Sequence, residues 1–294
     1  DDCSVIEFDS NRFLLGTTDS LLEGVHFLKE MMTPEEIAYK ALAVNVSDVV
    51  AMGGRPQWAH LSLGVPKRMT EKDVQSFFRG FYSLSKKIGV SLVGGDLVRS
   101  NSDFFINIHL QGLVEKEKIM LRRHFKDGDR LCITGTLGDS AAGLHSFLQN
   151  KIQPQLLASH KKPPVLLEEG LWLAEREETC GMMDLSDGLM SDLERLPACG
   201  IEVHLENIPH SQALLEYCHR NTLDPLSFSL AGGEDYALLF SCRSDGWDQL
   251  KKSFKEKFRY EPISIGFIQK NKKNPIFLKN GIPQALRYES YQHF

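Results

Sequence analysis

The chain has 294 residues, room for one large domain or two of ordinary size, with 42% hydrophobic and 25% charged residues. A formal net charge of −5 argues against a nucleic-acid partner, which needs a basic stripe. No apolar run approaches the roughly 20 residues that span a bilayer, and no secretory leader is visible. The expectation is therefore a cytoplasmic protein without a membrane partner. Six cysteines occur without a C-x-x-C pair, which reads as free thiols in a reducing compartment and leaves no cysteine set for zinc.

In chain order, Val5–Phe8 and Arg12–Thr18 read as two strands joined across Asp9-Ser10-Asn11. Thr33-Pro34-Glu35-Glu36 opens a helix with an N-cap threonine, proline in the first turn and a capping box. That helix runs to about Met52, stops at Gly53-Gly54, and is apolar nearly all round, so it is expected to be buried. Trp58–Val65 is a strand, Thr70–Ile88 a helix, Val90–Val93 a strand ending at Gly94-Gly95-Asp96, and Phe104–Val114 another strand. The turn Lys126-Asp-Gly-Asp129 marks a domain boundary, giving domains 1–125 and 126–294.

Beyond it come a strand at Arg130–Thr134, a glycine loop at 135–139 and a helix from Ser140. Polar, proline-containing 151–164 reads as a loop or irregular crossing. Met182–Leu185, Ile201–Leu205, Tyr236–Cys242 and Ile263–Phe267 read as strands, and Trp247–Phe258 as a helix. Strands and helices mix in both halves, which favours an α/β or α+β architecture.

The chemistry lies in aspartates placed where aspartate is costly. With Ser10-Asn11 as a two-residue turn, Asp2 falls opposite Asp19, whereas a turn one residue longer would shift the register; two carboxylates about 5 Å apart at an effective dielectric of about 20 repel by roughly 3 kcal/mol. A cation would turn that repulsion into a site. Asp48 sits near the C-terminal end of an apolar helix, where the macrodipole disfavours negative charge, with Asn45 and Ser47 beside it. A metal, or a salt bridge to Lys40 or a distant arginine, would each answer that buried charge. Asp96 follows two glycines at a strand end, and Asp184 and Asp187 flank Ser186 where strand meets helix. Hard oxygen donors of this kind suit Mg²⁺, which keeps its remaining places for water and phosphate. Gly135-Thr-Leu-Gly-Asp-Ser140 before a helix could cradle phosphate on backbone N–H groups, or could be a plain turn; it is no P-loop, since Gly-Lys-Ser/Thr is absent.

Asp-Asp-Cys at 1–3, Thr-Thr-Asp-Ser-Leu-Leu-Glu-Gly-Val-His-Phe at 17–27, Lys-Ala-Leu-Ala-Val-Asn-Val-Ser-Asp at 40–48 and Gly-Gly-Asp at 94–96 resemble successive motifs of the thiamine-monophosphate kinase family. So do Thr-Gly-Thr-Leu-Gly-Asp-Ser-Ala-Ala-Gly at 134–143, Asp-Leu-Ser-Asp-Gly-Leu at 184–189 and Gly-Gly-Glu-Asp-Tyr at 232–236. They stand in the family's order and cover nearly the whole chain. The resemblance implies the fold of aminoimidazole-ribonucleotide synthetase, with N-terminal halves pairing into a barrel in a homodimer and a C-terminal α/β layer. It implies transfer of the ATP γ-phosphoryl group to thiamine monophosphate, giving thiamine diphosphate. By motif position, Asp2, Thr17, Thr18, Asp19, Asp48, Asp96, Asp184 and Asp187 would surround several Mg²⁺ ions. Gly95, Asp96, Arg122 and Ser186 would contact ATP, and His26, Glu234 and Tyr288 the thiamine substrate, with no side-chain base.

The sequence departs from the family's pattern in several places. The family's glycine ahead of Asp-Asp would precede Asp1, Leu97-Val98 stand where threonines usually follow Gly-Gly-Asp, and Tyr288 stands where tryptophan is frequent. The usually arginine-rich segment reads His160-Lys-Lys-Pro-Pro-Val. Two other readings are weighed against the kinase. A selenophosphate or purine-pathway synthetase of the same superfamily is one; the former needs a lysine beside its reactive cysteine, and none follows Cys3 before Lys29. A non-catalytic metal or nucleotide sensor is the other, opposed by the presence of every candidate position.

Overall fold

The computed structural model describes residues 1–196, 200–269 and 275–286. These form two compact units: Asp2–Ile119 together with Lys161–Leu167, and Met120–His160 together with Asp1 and the chain from Glu168 on.

In the N-terminal unit, β1 (Ser4–Glu7), β2 (Arg12–Leu22), β3 (Arg55–Pro66), β4 (Ser91–Ser100) and β5 (Phe105–Glu115) make a sheet of order β1-β2-β5-β3-β4. All pairs are antiparallel except β3 with β4. Helix α1 (Pro34–Ala51) packs on β2, β5 and β3, and α2 (Glu71–Ile88) packs on α1. Thr33 and Thr70 each complete a capping box, as the sequence leads one to expect for Thr33. Alternation along β2 sends Leu15, Thr17 and Leu21 inward, and Ile106, Ile108 and Leu110 of β5 do the same. The inner helix α1 is buried on every side, including Lys40 and Asn45. Both edge strands are open to solvent; Ile6 of β1 is 57% exposed, and Val93, Leu97 and Val98 of β4 are 52–57% exposed.

Two local expectations fail here. The hairpin register is Ser4 with Gly16 through Glu7 with Phe13, one residue away from the pairing that a two-residue turn would give. Asp9 is the reason: its carboxylate accepts from the Asn11 and Arg12 N–H groups and binds the Arg12 guanidinium, so the turn takes a third residue. Asp2 is therefore not set opposite Asp19, and their direct repulsion on the sheet does not arise. Gly94-Gly95-Asp96 does not end a strand either, for β4 runs on to Ser100. Gly95 allows this: at φ 153° a Cβ there would stand 1.9 Å from the Leu61 carbonyl oxygen of β3.

The C-terminal unit is built on β6 (Arg130–Ile133), β7 (Thr179–Asp184), β8 (Gly200–His204), β9 (Leu238–Cys242), β10 (Ile263–Gln269), β11 (Ile276–Lys279) and β12 (Ile282–Pro283). Their order is β12-β11-β8-β10-β6-β9-β7, with β8 and β11 the parallel pair. Around them lie α3 (Asp139–Leu148), α4 (Pro154–Lys161), α5 (Leu167–Ala174), α6 (Leu189–Glu194), α7 (Gln212–Asn221), α8 (Pro225–Ala231) and α9 (Trp247–Phe258). Leu131, Ile133, Met183, Val203, Leu239 and Ile265 are fully buried in its core. The stretch expected as loop at 151–164 contains α4, which Gly143 admits: a Cβ at that position would lie 2.2 Å from the Leu156 carbonyl oxygen. Helices α5, α7 and α8 lie outside the expected elements: they are short and held by tertiary packing, although Ser211 caps α7 and Asp224-Pro225 opens α8. Among the described residues no helix is long and apolar enough to cross a membrane. Cys3, Cys132, Cys180, Cys218 and Cys242 are free thiols, and burial pushes Cys242 up to about 12.

Candidate functional site

In the N-terminal unit the candidate residues Thr17, Thr18, Asp19, Asp48 and Asp96 are carried by regular elements. Thr17 projects from β2 toward α1 and donates to the Asp48 carboxylate at 2.5 Å. Two residues on, the Asp19 N–H donates to Asn45 Oδ1 at 3.1 Å, and Asn45 Nδ2 donates to the Ala41 carbonyl at 3.0 Å. The side-chain amide thus ties strand to helix while turning both aspartates to one layer. A hydroxyl and carboxylates with no soft ligand form a donor set that fits Mg²⁺ and not zinc. Thr18, one residue out of phase, projects to the opposite face, where its hydroxyl and that of Ser20 accept from Asn107 Nδ2 at 3.0 and 2.9 Å. Cross-strand pairing puts Ser20, Asn107, Ser62 and Asp96 in one row, with Asp19, Ile108, Leu61 and Gly95 in the next. Asp96 is exposed, and its carboxylate accepts from the Leu97 N–H at 2.8 Å.

His26 follows β2 in a turn in which the Gly24 N–H donates to the Phe27 carbonyl. Its Nδ1 accepts from the Leu22 N–H at 3.1 Å, so the neutral ring carries its proton on Nε2 and presents a donor there. The backbone carbonyl of His26 accepts from the buried Lys40 ammonium at 3.3 Å. Asp2 precedes Cys3, whose N–H donates to Met52 Sδ at the end of α1.

In the C-terminal unit most of the candidate residues lie at strand ends and in turns. Asp184 ends β7, buried to 3% exposure, and Ser186, Asp187 and Gly188 lead into α6. Arg195 binds the Asp187 carboxylate and reaches Asp192 at 3.3 Å; these two charges, with Asp184, hold its guanidinium pKa above the ordinary value against desolvation. The Glu234 N–H donates to the Ser186 carbonyl at 2.7 Å and the Tyr236 N–H to that of Leu185 at 2.8 Å. Glu234 and Tyr236 both take left-handed backbone angles, φ 65° and 49°, a conformation that costs non-glycine residues about 1 kcal/mol or more. Arg122 opens a short 3-10 turn, half-buried, and its N–H donates to Asp1 Oδ1 at 2.9 Å. Tyr288 lies outside the described residues.

The glycine loop at 135–138 is already filled. Asp235 places its carboxylate on the Gly138 N–H at 2.8 Å and on the Ser140 N–H, at the start of α3. Although the residue as a whole is half-buried, its carboxylate is enclosed, and desolvation pushes it up to about 8, helped by Asp139 and Glu234. The phosphate-cradle reading of this loop therefore gives way to an internal one: a buried side-chain carboxyl takes N–H groups that phosphate would need.

Comparison with known proteins now bears on these residues. The family described as AIR synthase related protein, N-terminal domain, matches residues 1–114. The thiamine-monophosphate kinase of Buchnera aphidicola subsp. Schizaphis graminum is 35% identical over 303 residues, with 100% of this chain and 91% of the relative covered. That of Escherichia coli K12 is 34% identical over 304 residues, with coverage of 100% and 90%. This chain belongs to the thiamine-monophosphate kinase family. The solved structure of AaThiL complexed with AMPPCP and TMP superposes with a TM-score of 0.87 at 32% identity, over 100% of this chain and 91% of that one. Escherichia coli HypE, at 18% identity and a TM-score of 0.81, shares the fold.

Several residues that organise the site escape a sequence reading. Asn107, Asp235, Ser140 and His160 act on neighbours 20 or more residues away in the chain, whereas Arg195 binds Asp187 and Asp192 within its own turn and helix. Asp235 stands beside Glu234 in the Gly-Gly-Glu-Asp-Tyr motif, Ser140 in the glycine-loop motif and His160 at the head of the lysine–proline segment, but none of these patterns shows the contact that each one makes.

Proposed function

We propose that this chain is an ATP-dependent kinase that phosphorylates thiamine monophosphate to thiamine diphosphate. The observation that carries the reading is its full-length likeness to AaThiL complexed with AMPPCP and TMP, joined to an aspartate set of the kind that serves Mg-nucleotides. In this reading Asp2, Thr17, Thr18, Asp19, Asp48 and Asp96 of the N-terminal unit, and Asp184 and Asp187 of the C-terminal unit, are Mg²⁺ ligands. Gly95, Asp96, Arg122 and Ser186 contact ATP. His26 donates from Nε2 to the substrate phosphate, Glu234 accepts from the polar pyrimidine, and Tyr288 stacks on it.

The substrate's phosphate oxygen attacks the γ-phosphorus of ATP; the new O–P bond forms as the bond to the β-phosphate oxygen breaks, and ADP leaves. A phosphate monoester is largely ionised near neutral pH, its second pKa being about 6, so no base has to remove a proton. The obstacle is repulsion between two polyanions. Bound Mg²⁺ supplies charge neutralisation, while this chain's side chains orient the two phosphates in line. Formation of thiamine diphosphate from thiamine monophosphate and Mg-ATP tests the reading, and its absence rejects it. With chiral γ-phosphate ATP the product should be inverted at phosphorus; net retention would mean a phosphoenzyme.

The open edges at β1 and β4, with Ile6, Val93, Leu97 and Val98 exposed, support a homodimer in which a second copy covers them. Light scattering at micromolar concentration should give twice the chain mass. The reading includes a cytoplasmic location and folding domains of 1–125 and 126–294, and limited proteolysis should cut first between those domains.

A further inference from the structure

His160 is 3% exposed at the end of α4, and its Nδ1 lies 3.1 Å from Ser140 Oγ and 3.2 Å from Glu234 Oε2. Serine, histidine and acid in contact suggest a nucleophile triad, but the geometry refuses it. A triad sets serine and acid on opposite ring nitrogens and leaves the serine open to substrate. Here both share Nδ1, and Ser140 is 1% exposed in the first turn of α3. The arrangement instead places a proton on Nδ1, shared between a buried hydroxyl that anchors the ring and a carboxylate that the ring then holds.

The carboxylate is the end of the chain of constraint. Hydrogen bonds to Ser186 and Leu185 fix the backbone on either side of Glu234, and Asp235 latches the same loop onto α3. These contacts set where the Glu234 side chain begins, while its three side-chain torsions stay open, and His160 restricts them. We propose that His160 is a positioning residue that aims the Glu234 carboxylate at the pyrimidine end of the substrate and so sets the affinity for it. The proposal rests on the reading that Glu234 contacts thiamine monophosphate.

Two near-isosteric replacements separate positioning from packing. Asparagine puts its amide N–H close to the position of Nδ1, whereas glutamine puts it close to that of Nε2. In the full chain, His160→Gln should raise KM for thiamine monophosphate about tenfold, the scale of one hydrogen bond to a charged group. Its kcat and its KM for ATP should stay within about twofold of wild type. His160→Asn should restore most of the lost affinity, and both variants should melt within a few degrees of wild type. Equal KM changes in the two variants, or parallel changes for both substrates, would mean that His160 only packs, and would overturn the proposal. A wild-type chain that makes no thiamine diphosphate would instead reject the functional reading; an active wild type with an unaffected His160→Gln variant rejects this inference alone.

Discussion

The two units hold their candidate site residues by opposite means. In the N-terminal unit Thr17, Asp19 and Asp48 stand on a long strand and a largely buried helix, tied by Thr17 to Asp48 and by Asn45 to the Asp19 N–H. In the C-terminal unit Asp184 closes β7, while Ser186, Asp187 and Glu234 stand on turns; Glu234 and its neighbour Tyr236 take left-handed angles, and Asp235, His160 and Arg195 brace the turns. Regular elements place side chains through hydrogen bonds that the backbone makes in any case. Turns need dedicated side chains for the same service. The first arrangement is therefore expected to tolerate loss of a carboxylate without loss of fold, and the second to tie function and local stability together.

The sharpest break would come at the helix. Asp48→Asn and Asp19→Asn should each lower turnover by about a thousandfold or more, since an ion's charge stabilisation is worth several kcal/mol. The metal-free melting temperature should hold or rise, because each change removes a carboxylate from a layer that already holds another. Full activity at ordinary Mg²⁺ would remove these residues from the site. A collapse of the metal-free fold would make Asp48 a structural ion-pair member and erase the contrast between the units.

Next in size is Gly95→Ala, which tests how rigid the regular elements are. The added carbon would meet the Leu61 backbone, so β4 must part from β3, at a cost of about 2–3 kcal/mol in urea unfolding. An unchanged midpoint would show that the edge strand shifts freely.

The smallest effect concerns the turn-borne site. Burial holds Asp235 up to about 8, above its ordinary 3.8. The folded state therefore binds a proton that the unfolded chain has released between these values. The stability this group contributes is full below pH ~4 and falls as pH rises, to be lost once pH passes about 8. Asp235→Asn keeps an oxygen for the Gly138 N–H and cannot ionise. Its melting temperature should fall less than that of wild type between pH 5 and pH 8, by a few degrees. Parallel curves would mean that Asp235 is ionised in the fold and caps α3 as a full charge.

Much of the fold was legible because its cues are local. The capping box at Thr33, the all-round apolar character of α1 and its stop at Gly53-Gly54 depend on residues within a turn or two of each other. The cost of a carboxylate near the end of an apolar helix is equally local, so Asp48 could be singled out at once. The hairpin register stayed open by one residue because the choice between two turn lengths lay in the hydrogen bonds of Asp9, which composition alone does not weigh.

By itself, then, the sequence determined the types of the longer elements, the family through ordered motifs, and the aspartates worth suspecting, since each depends on spacing along the chain. Tertiary structure alone decided which groups face each other. Strand pairing parted Thr18 from Thr17 and Asp19 and extended β4 past Asp96; packing laid α4 against Gly143 and brought His160 to Glu234. It also filled the glycine loop with Asp235, whose partner Gly138 is far away in the chain. Such contacts follow from the burial of surfaces that meet only once the chain has folded, and the free energy that selects them is spread over many residues, none of which carries it locally.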